Sequence, residues 1–583
     1  MILLTVDKLT IRYGDMTVVD GLSFQVSQGE SVGLVGESGS GKSQTALAIL
    51  GLLPAAAEVS GSVMIGDTNV LGAEESVLNK LRARRVAMIF QDPMQALNPY
   101  LRIGAQLRLI LISHGLATGR DADAQVIDML RRVGLPDPER QFDAYPHQLS
   151  GGMRQRAMIA SALLAGPELL IADEPTTALD VTVQAQILEL LAELREDTAL
   201  LLITHDLGVV AGRCERMLVL KNGRLLEAGQ TGDVFAHPEH EHTAAMIAAA
   251  PRLDRGEVLE PRGGSEVLGI QQLAVTYKER SGTNVQAVRG VDLSVAAGET
   301  VAVVGESGSG KSSLVRAALG LVPAQSGRVA FCGARIDAAL KRRAQTVRRD
   351  LQLVFQDPVA SLNPQMRVAE AVAEPLLVHE PGSTKSSRRD AVGSMLAKVG
   401  LDSSYLDRFP HELSGGQAQR VAIARALILE PKVLVCDEAV AALDGSVRER
   451  ILELLRDVQQ QSGLAIVFIT HDLAVVRAVS HRVLVMYLGR LVEFAASEQL
   501  FSGARHPYTH ALLDAVPVPD PRAPGGKAAI SGEATSAVSP PPGCAFHPRC
   551  PHAAAICTNE LPEQRSIDGV TVACHRVEEI SRY

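Results

Sequence analysis

Short unbroken apolar runs recur along this chain, each leading into a glycine-rich or acidic turn. Ser31-Val32-Gly33-Leu34-Val35 and Thr300-Val301-Ala302-Val303-Val304 are two of them. Leu169 to Ala172, ending at Asp173-Glu174, and Val433 to Cys436, ending at Asp437-Glu438, are two more, and further strands end in Thr204-His205-Asp206 and Thr470-His471-Asp472. Between them lie segments of helical period: Thr45 to Leu50, Leu314 to Leu319, and middles in which Val126, Ile127, Leu130 and Val133, or Val392, Leu396 and Val399, fall on one face. Leu9 to Tyr13 and Leu273 to Tyr277 alternate as half-buried strands do, and Met1 to Asp7 reads as a first strand. Apolar strands without alternation, interleaved with helices, predict an α/β fold with a mostly parallel sheet covered on both faces.

The pattern runs through the chain twice. Tyr13 pairs with Tyr277, Gln91 with Gln356, Ser150-Gly151-Gly152 with Ser414-Gly415-Gly416, Asp173-Glu174 with Asp437-Glu438, and His205 with His471, at offsets of 264 to 266 positions. This predicts a duplicated domain rather than a short solenoid repeat. The expected boundaries are residues 1–247 for the first domain, 248–265 for a polar linker, 266–503 for the second domain, and 504–583 for a tail. The tail contains a Pro- and Ala-rich segment, Pro517 to Pro542, expected to be extended and mobile.

Bulk properties narrow the function. At 583 residues two or more domains are expected. A net charge of −9 argues against a dedicated nucleic-acid binder. No apolar run approaches the roughly 18 residues that span a membrane, and Met1 to Asp7 lacks the features of a signal peptide, so a cytoplasmic protein is expected.

The candidate chemistry is phosphate binding. Gly36-Glu37-Ser38-Gly39-Ser40-Gly41-Lys42-Ser43 and Gly305-Glu306-Ser307-Gly308-Ser309-Gly310-Lys311-Ser312 each fit G-x-x-x-x-G-K-[ST] between a strand and a helix. Such a loop wraps polyphosphate with backbone N–H groups at a helix N-terminus. Lys42 and Lys311 would meet the β- and γ-phosphates, and Ser43 and Ser312 would offer a hydroxyl to Mg²⁺.

Leu149-Ser150-Gly151-Gly152 and Leu413-Ser414-Gly415-Gly416-Gln417, taken with these loops, resemble the signature of the ATP-binding-cassette ATPases, a resemblance that covers residues 1–503. It implies ATP and Mg²⁺ in two sites. Tyr13 and Tyr277 would stack on adenine, Asp173 and Asp437 would hold Mg²⁺ with help from Gln91 and Gln356, and Glu174 and Glu438 would activate water. His205 and His471 would touch the γ-phosphate, while Asp180 and Asp444 match the loop that crosses between domains. Each signature would close on the ATP of the opposite domain, so that Lys42, Glu174 and His205 work with Ser414 and Gly416, and Lys311, Glu438 and His471 with Ser150 and Gly152. Two departures from the pattern stand out: Met153 replaces Gln in the first signature, and Ala439-Val440 follows Asp437-Glu438 where Pro-Thr is usual.

Without a membrane segment, the resemblance implies separate permease subunits, an extracytoplasmic binding protein, and a peripheral place on the cytoplasmic face of the membrane. A ribosome-associated tandem cassette protein would carry a long charged linker, and a DNA-repair cassette would carry zinc modules or coiled coils. Neither is seen here. The glutamine loops Gln91 to Pro99 and Gln356 to Pro364, the His506-Pro507-Tyr508-Thr509-His510 stretch and the Gly543 to Pro551 tail resemble peptide and nickel importers. In the first half, His237-Pro238 is taken as the remnant of that stretch. The reading is two peptide-permease ATPases fused into one chain, with glutathione, nickel or antimicrobial-peptide uptake as alternatives.

Seven cysteines remain. Cys214, Cys332 and Cys436 are expected to be buried thiols, whereas Cys544, Cys550, Cys557 and Cys574 crowd the tail. Disulfides do not suit a reducing cytoplasm, and the tight C-x₂₋₄-C pairs of structural zinc are missing. A four-thiolate [4Fe–4S] cluster tolerates irregular spacing and is what the resemblance implies. A zinc site that also uses His547, His552 or His575, and four reduced thiols, stay open.

Overall fold

The computed structural model describes residues 1–583 apart from 38, 177–178, 195–197, 254–258, 260–262, 279–283, 337–343, 441–442, 444, 524–529, 531–537 and 581–583. Ser38, Asp444, residues 254–258 and 260–262 of the linker, and residues 524–529 and 531–537 of the Pro/Ala-rich segment therefore lie outside the described residues. The chain folds into two units: Met1–Leu179 with Val183–Ala250 and Pro517–Ala528, and Asp180–Thr182 with Pro251–Val516 and Ala529–Tyr583.

In the first unit the central sheet runs, in spatial order, Arg224–Gln230, Arg216–Lys221, Ser31–Gly36, Ala199–Thr204, Leu169–Asp173 and Val86–Ile89. Every neighbouring pair is parallel except the edge hairpin formed by Arg216–Lys221 and Arg224–Gln230. The three strands without alternation, Ser31–Gly36, Leu169–Asp173 and Ala199–Thr204, are buried at every position because both sheet faces are covered. One face packs on an antiparallel sheet containing Ile2–Tyr13 and Met16–Ser27, through Leu9, Ile11, Leu22, Leu34, Ile171 and Ile203. The other packs on helices that include Gly119–Arg132 and Gly151–Leu163, where Val126, Leu130 and Val133 are buried as their spacing predicts.

The second unit repeats this plan with Leu351–Val354, Val433–Asp437, Ala465–Ile469, Thr300–Val304, Arg482–Tyr487 and Arg490–Ala496, and then adds two strands. Val570–Val572 pairs antiparallel with Arg490–Ala496, and Arg565–Ile567 closes the edge. The tail is thus part of the second unit's sheet. It also contributes Phe546 to a core containing Tyr487, Tyr508, Leu512 and Val570.

Three expectations change. Cys332 is exposed, not buried: it sits at φ 49° in the turn of the Ser326–Phe331/Ala334–Arg335 hairpin. The helices after the signatures, expected from the sequence over Arg156 to Leu164 and Arg420 to Leu427, start earlier, at Gly151 and Gly415, because Ser150 and Ser414 cap them. The first-half counterpart of His506 is His240, not His237. Glu227 accepts from the N–H groups of Glu239 and His240, as Glu493 accepts from those of Arg505 and His506. Both histidines then cap the following helix.

Candidate nucleotide-binding sites

The phosphate loops join the central strands to Lys42–Ile49 and Lys311–Ala318. Gly41 (φ 96°) and Gly310 (φ 101°) end them in the left-handed region, where a Cβ would also lie 2.7 Å from Val18 O and 2.2 Å from Ala287 O. Only glycine tolerates both constraints. Lys42 donates to Gly36 O (2.7 Å), Glu37 O (2.8 Å) and Ser40 Oγ (3.3 Å). Lys311 repeats this with Gly305 O (2.7 Å), Glu306 O (2.9 Å) and Ser309 Oγ (3.5 Å). Each ammonium is buried inside its own loop, and burial lowers the pKa of Lys311.

The strand ends bring the carboxylates to these loops. Ser312 Oγ donates to Asp437 Oδ1 at 2.9 Å, and Ser43 stands close enough to Asp173 to favour its charged form. Burial raises both Asp pKa values. Asp173 Oδ1 and Asp437 Oδ2 are buried without a hydrogen-bond partner among the described residues, although Arg316 lies 3.6 Å from the latter. An unmatched carboxylate oxygen beside a serine hydroxyl suits a divalent cation.

Glu174 (φ 45°) and Glu438 (φ 52°) both adopt the left-handed region, which a non-glycine residue enters at a cost of about 1–3 kcal/mol. Gln91 Nε2 donates to Glu174 Oε2 at 2.8 Å, and His205 Nδ1 lies 3.1 Å from Oε1. In the second unit Gln356 Nε2 donates to Glu438 Oε2 at 2.8 Å, with His471 Nδ1 at 3.7 Å from Oε1. The neighbouring His471 imidazole holds Glu438 below the usual carboxylate range despite burial. Burial alone would lower His471, but the nearby Glu438 carboxylate outweighs it and the pKa is raised.

Tyr13 is half-buried and donates from Oη to Gln44 Oε1 (2.7 Å); Tyr277 is exposed and its Oη lies 3.3 Å from Ser313 Oγ. At the signatures, Ser150 Oγ accepts from Met153 N and Ser414 Oγ from Gln417 N. Gln417 Oε1 also accepts from Ser414 N, completing a capping box that Met153 cannot form in the first signature.

Two kinds of residue at these sites escape sequence reading. Asp206 and Asp472 cap the helices after the site histidines, accepting from Gly208 and Val209 and from Ala474 and Val475. Asp directly before a helical apolar run is the signal for them. Glu306, Tyr508 and Arg549 form the second kind, and no local pattern marks that group.

The tail cysteines lie near one another: burial raises the pKa of Cys544, Cys550 and Cys574, the last to about 11, and each feels neighbouring thiols of the set. Cys544 N–H donates to Cys557 O. Among the described residues, however, no group of three or more His, Cys, Asp or Glu is placed to hold a metal ion. The residues that would supply the expected four-thiolate set are Cys544, Cys550, Cys557 and Cys574.

Fold and site together define a tandem phosphate-loop ATPase. The family "ABC transporter" matches residues 19–177 and 288–441, and "Oligopeptide/dipeptide transporter, C-terminal region" matches residues 492–557. The chain belongs to the ABC transporter family, in its oligopeptide/dipeptide branch. It is 44% identical over 542 residues to the glutathione import ATP-binding protein GsiA of Pectobacterium atrosepticum, covering 86% of this chain and 87% of that one. Against the GsiA of Escherichia coli K12 it is 43% identical over 567 residues, covering 89% and 90%. A solved dimeric bacterial ABC transporter cassette, MJ0796, matches at 29% identity and a TM-score of 0.37, covering 40% of this chain and 98% of that one.

Proposed function

We propose that the chain hydrolyses ATP at both sites to drive uptake of short peptides through separate permease subunits. The observation that carries this reading is the twin constellation of Lys, Ser, Asp, Glu, Gln and His, with the same lysine and glutamine hydrogen bonds in each unit and a histidine beside each glutamate. Lys42 and Lys311 hold the β- and γ-phosphates, with the loop N–H groups of Gly36, Gly39, Gly41, Gly305, Ser307, Gly308 and Gly310 around them. Ser43, Asp173 and Gln91, and Ser312, Asp437 and Gln356, would hold Mg²⁺, which would supply charge neutralisation on the phosphates. Glu174 and Glu438 accept the proton of the attacking water, and their glutamine and histidine partners orient them. His205 and His471 face the γ-phosphate, Tyr13 and Tyr277 pack on adenine, and Ser150, Gly151, Gly152, Ser414, Gly415, Gly416 and Gln417 present their helix N-termini to phosphate.

Among the described residues no helix is long and apolar enough to cross a membrane. The membrane path therefore belongs to the permeases, and the chain docks on their cytoplasmic side. Exposed apolar residues flank both glutamine loops, Phe90 and Met94 in one half and Phe355 and Val359 in the other. A cleft of about 240 Å³ in the second unit, lined by Leu321, Val347, Phe355 and Pro375, lies beside the second of them. These are the surfaces offered to the permeases. An extracytoplasmic binding protein delivers the substrate.

The length-spanning likeness to glutathione importers makes this tripeptide the first substrate to test, ahead of longer peptides and nickel. Reconstituted with its permeases and binding protein, the chain is expected to import labelled glutathione with ATP. Uptake of another peptide but not glutathione overturns the substrate, and no ATP-dependent uptake overturns the importer reading.

The [4Fe–4S] reading of the tail rests on its cysteine pattern and on the family likeness. Anaerobically purified chain is expected to carry iron and sulfide. A colourless chain whose Cys574 alkylates slowly until the pH nears about 11 identifies four reduced thiols instead.

A further inference from the structure

Arg549 lies in the tail, next to Cys550, yet its side chain is buried against the second phosphate loop. Nη1 and Nη2 form a bidentate pair with Glu306 Oε2 (2.7 Å) and Oε1 (2.9 Å), and Nη1 also reaches Tyr487 Oη at 3.3 Å. Glu306 is the second residue of that loop and only 4% exposed. Its N–H donates to Tyr508 Oη at 2.8 Å and its C=O accepts from Lys311 at 2.9 Å. Tyr487, Tyr508 and Phe546 pack as a three-ring cluster, with centroids 4.7 to 5.4 Å apart, that backs the ion pair.

A buried carboxylate inside a loop that must hold polyphosphate is a local repulsion unless a fixed cation matches it. The first unit is built differently. Lys221 ends the strand that Tyr487 ends in the second unit, and Lys221 Nζ lies 3.1 Å from His242 Nδ1. His242 holds the place of Tyr508, two residues past the capping histidine, and feels the charge of Glu37. There the basic group that feels the loop glutamate, His242, belongs to the cassette's own helix. In the second unit both positions are neutral tyrosines, and the cation comes from the tail.

We propose that Arg549 is a positioning residue of the second nucleotide site: it fixes Glu306 and cancels its charge, so that ATP affinity at that site depends on the docked tail. This rests on the reading of residues 305–312 as a nucleotide loop. The ligand is the polyphosphate of ATP, and the tail does not touch it.

The test uses the full chain, labelled with photoreactive azido-ATP and Mg²⁺ in the cold, with labelled peptides of each half quantified separately. R549M is expected to raise the half-saturating concentration of the second half by about tenfold, with the first half changed by less than about twofold. R549K, which keeps the charge but loses the fork, falls between. The double variant E306Q/R549M returns to within about threefold of the unsubstituted chain, a rescue that a purely structural role would not give. An unchanged second half in R549M overturns the proposal, as does an equal loss in both halves without rescue. If R549M does not fold, the neutral pair E306Q/R549M is compared with E306Q alone, because uncharged replacements of buried pairs are tolerated. Arg549 freed of its partner then tightens labelling of the second half by about threefold or more, and equality overturns the proposal. Failure to label either half of the unsubstituted chain defeats the nucleotide reading itself and is distinct from every other result.

Discussion

Replacing Glu174 and Glu438 together by Gln lowers steady-state ATP turnover by about 10²–10⁴-fold, the usual contribution of a positioned general base, while MgATP still binds. Gln keeps the shape of the side chain, and the hydrogen bond from Gln91 or Gln356 still finds a carbonyl oxygen. What is lost is the proton acceptor. Both carboxylates sit on left-handed backbone, directly after an aspartate that ends a buried strand. A strained conformation repeated in two copies signals a required position. Phosphate release by the chain assembled with its permeases measures the effect, and a double variant that keeps the original rate removes Glu174 and Glu438 from the chemistry.

The second large effect is on binding. K42A or K311A is expected to weaken MgATP at the substituted loop by about a hundredfold or more, because a buried, hydrogen-bonded cation facing phosphate is lost. Each lysine is 6% exposed and also ties down two carbonyl oxygens of its own loop, so truncation loosens the cradle as well as removing charge. Arginine does not rescue: the guanidinium fork needs room that a side chain coiled back on Gly36 or Gly305 does not have. Nucleotide titration of the full chain reads this directly, and unaltered affinity in K311A sinks the role of the second loop.

Much of the site was legible because its parts are local. A strand, a glycine loop and a helix are contiguous, so Gly41 and Lys42, or Gly310 and Lys311, carry their geometry in their spacing. The strand-ending carboxylates were legible for the same reason, since an apolar run that stops at Asp173-Glu174 must deliver both to the sheet's edge. The signature helices were misjudged by one turn because glycines hide a helix start that Ser150 and Ser414 determine by capping.

What the chain determines by itself is the duplicated α/β plan, the two phosphate loops and the residues at each strand end. Periodicity and short motifs are properties of neighbouring residues. The tertiary structure alone decided that His240 and not His237 matches His506, that the tail adds strands to the second sheet, and that its cysteines lie near one another. It alone joined Arg549 to Glu306 across 243 positions. Pairings of that kind depend on which surfaces are buried together, and a buried ion pair leaves no period in the sequence from which its partner could be read.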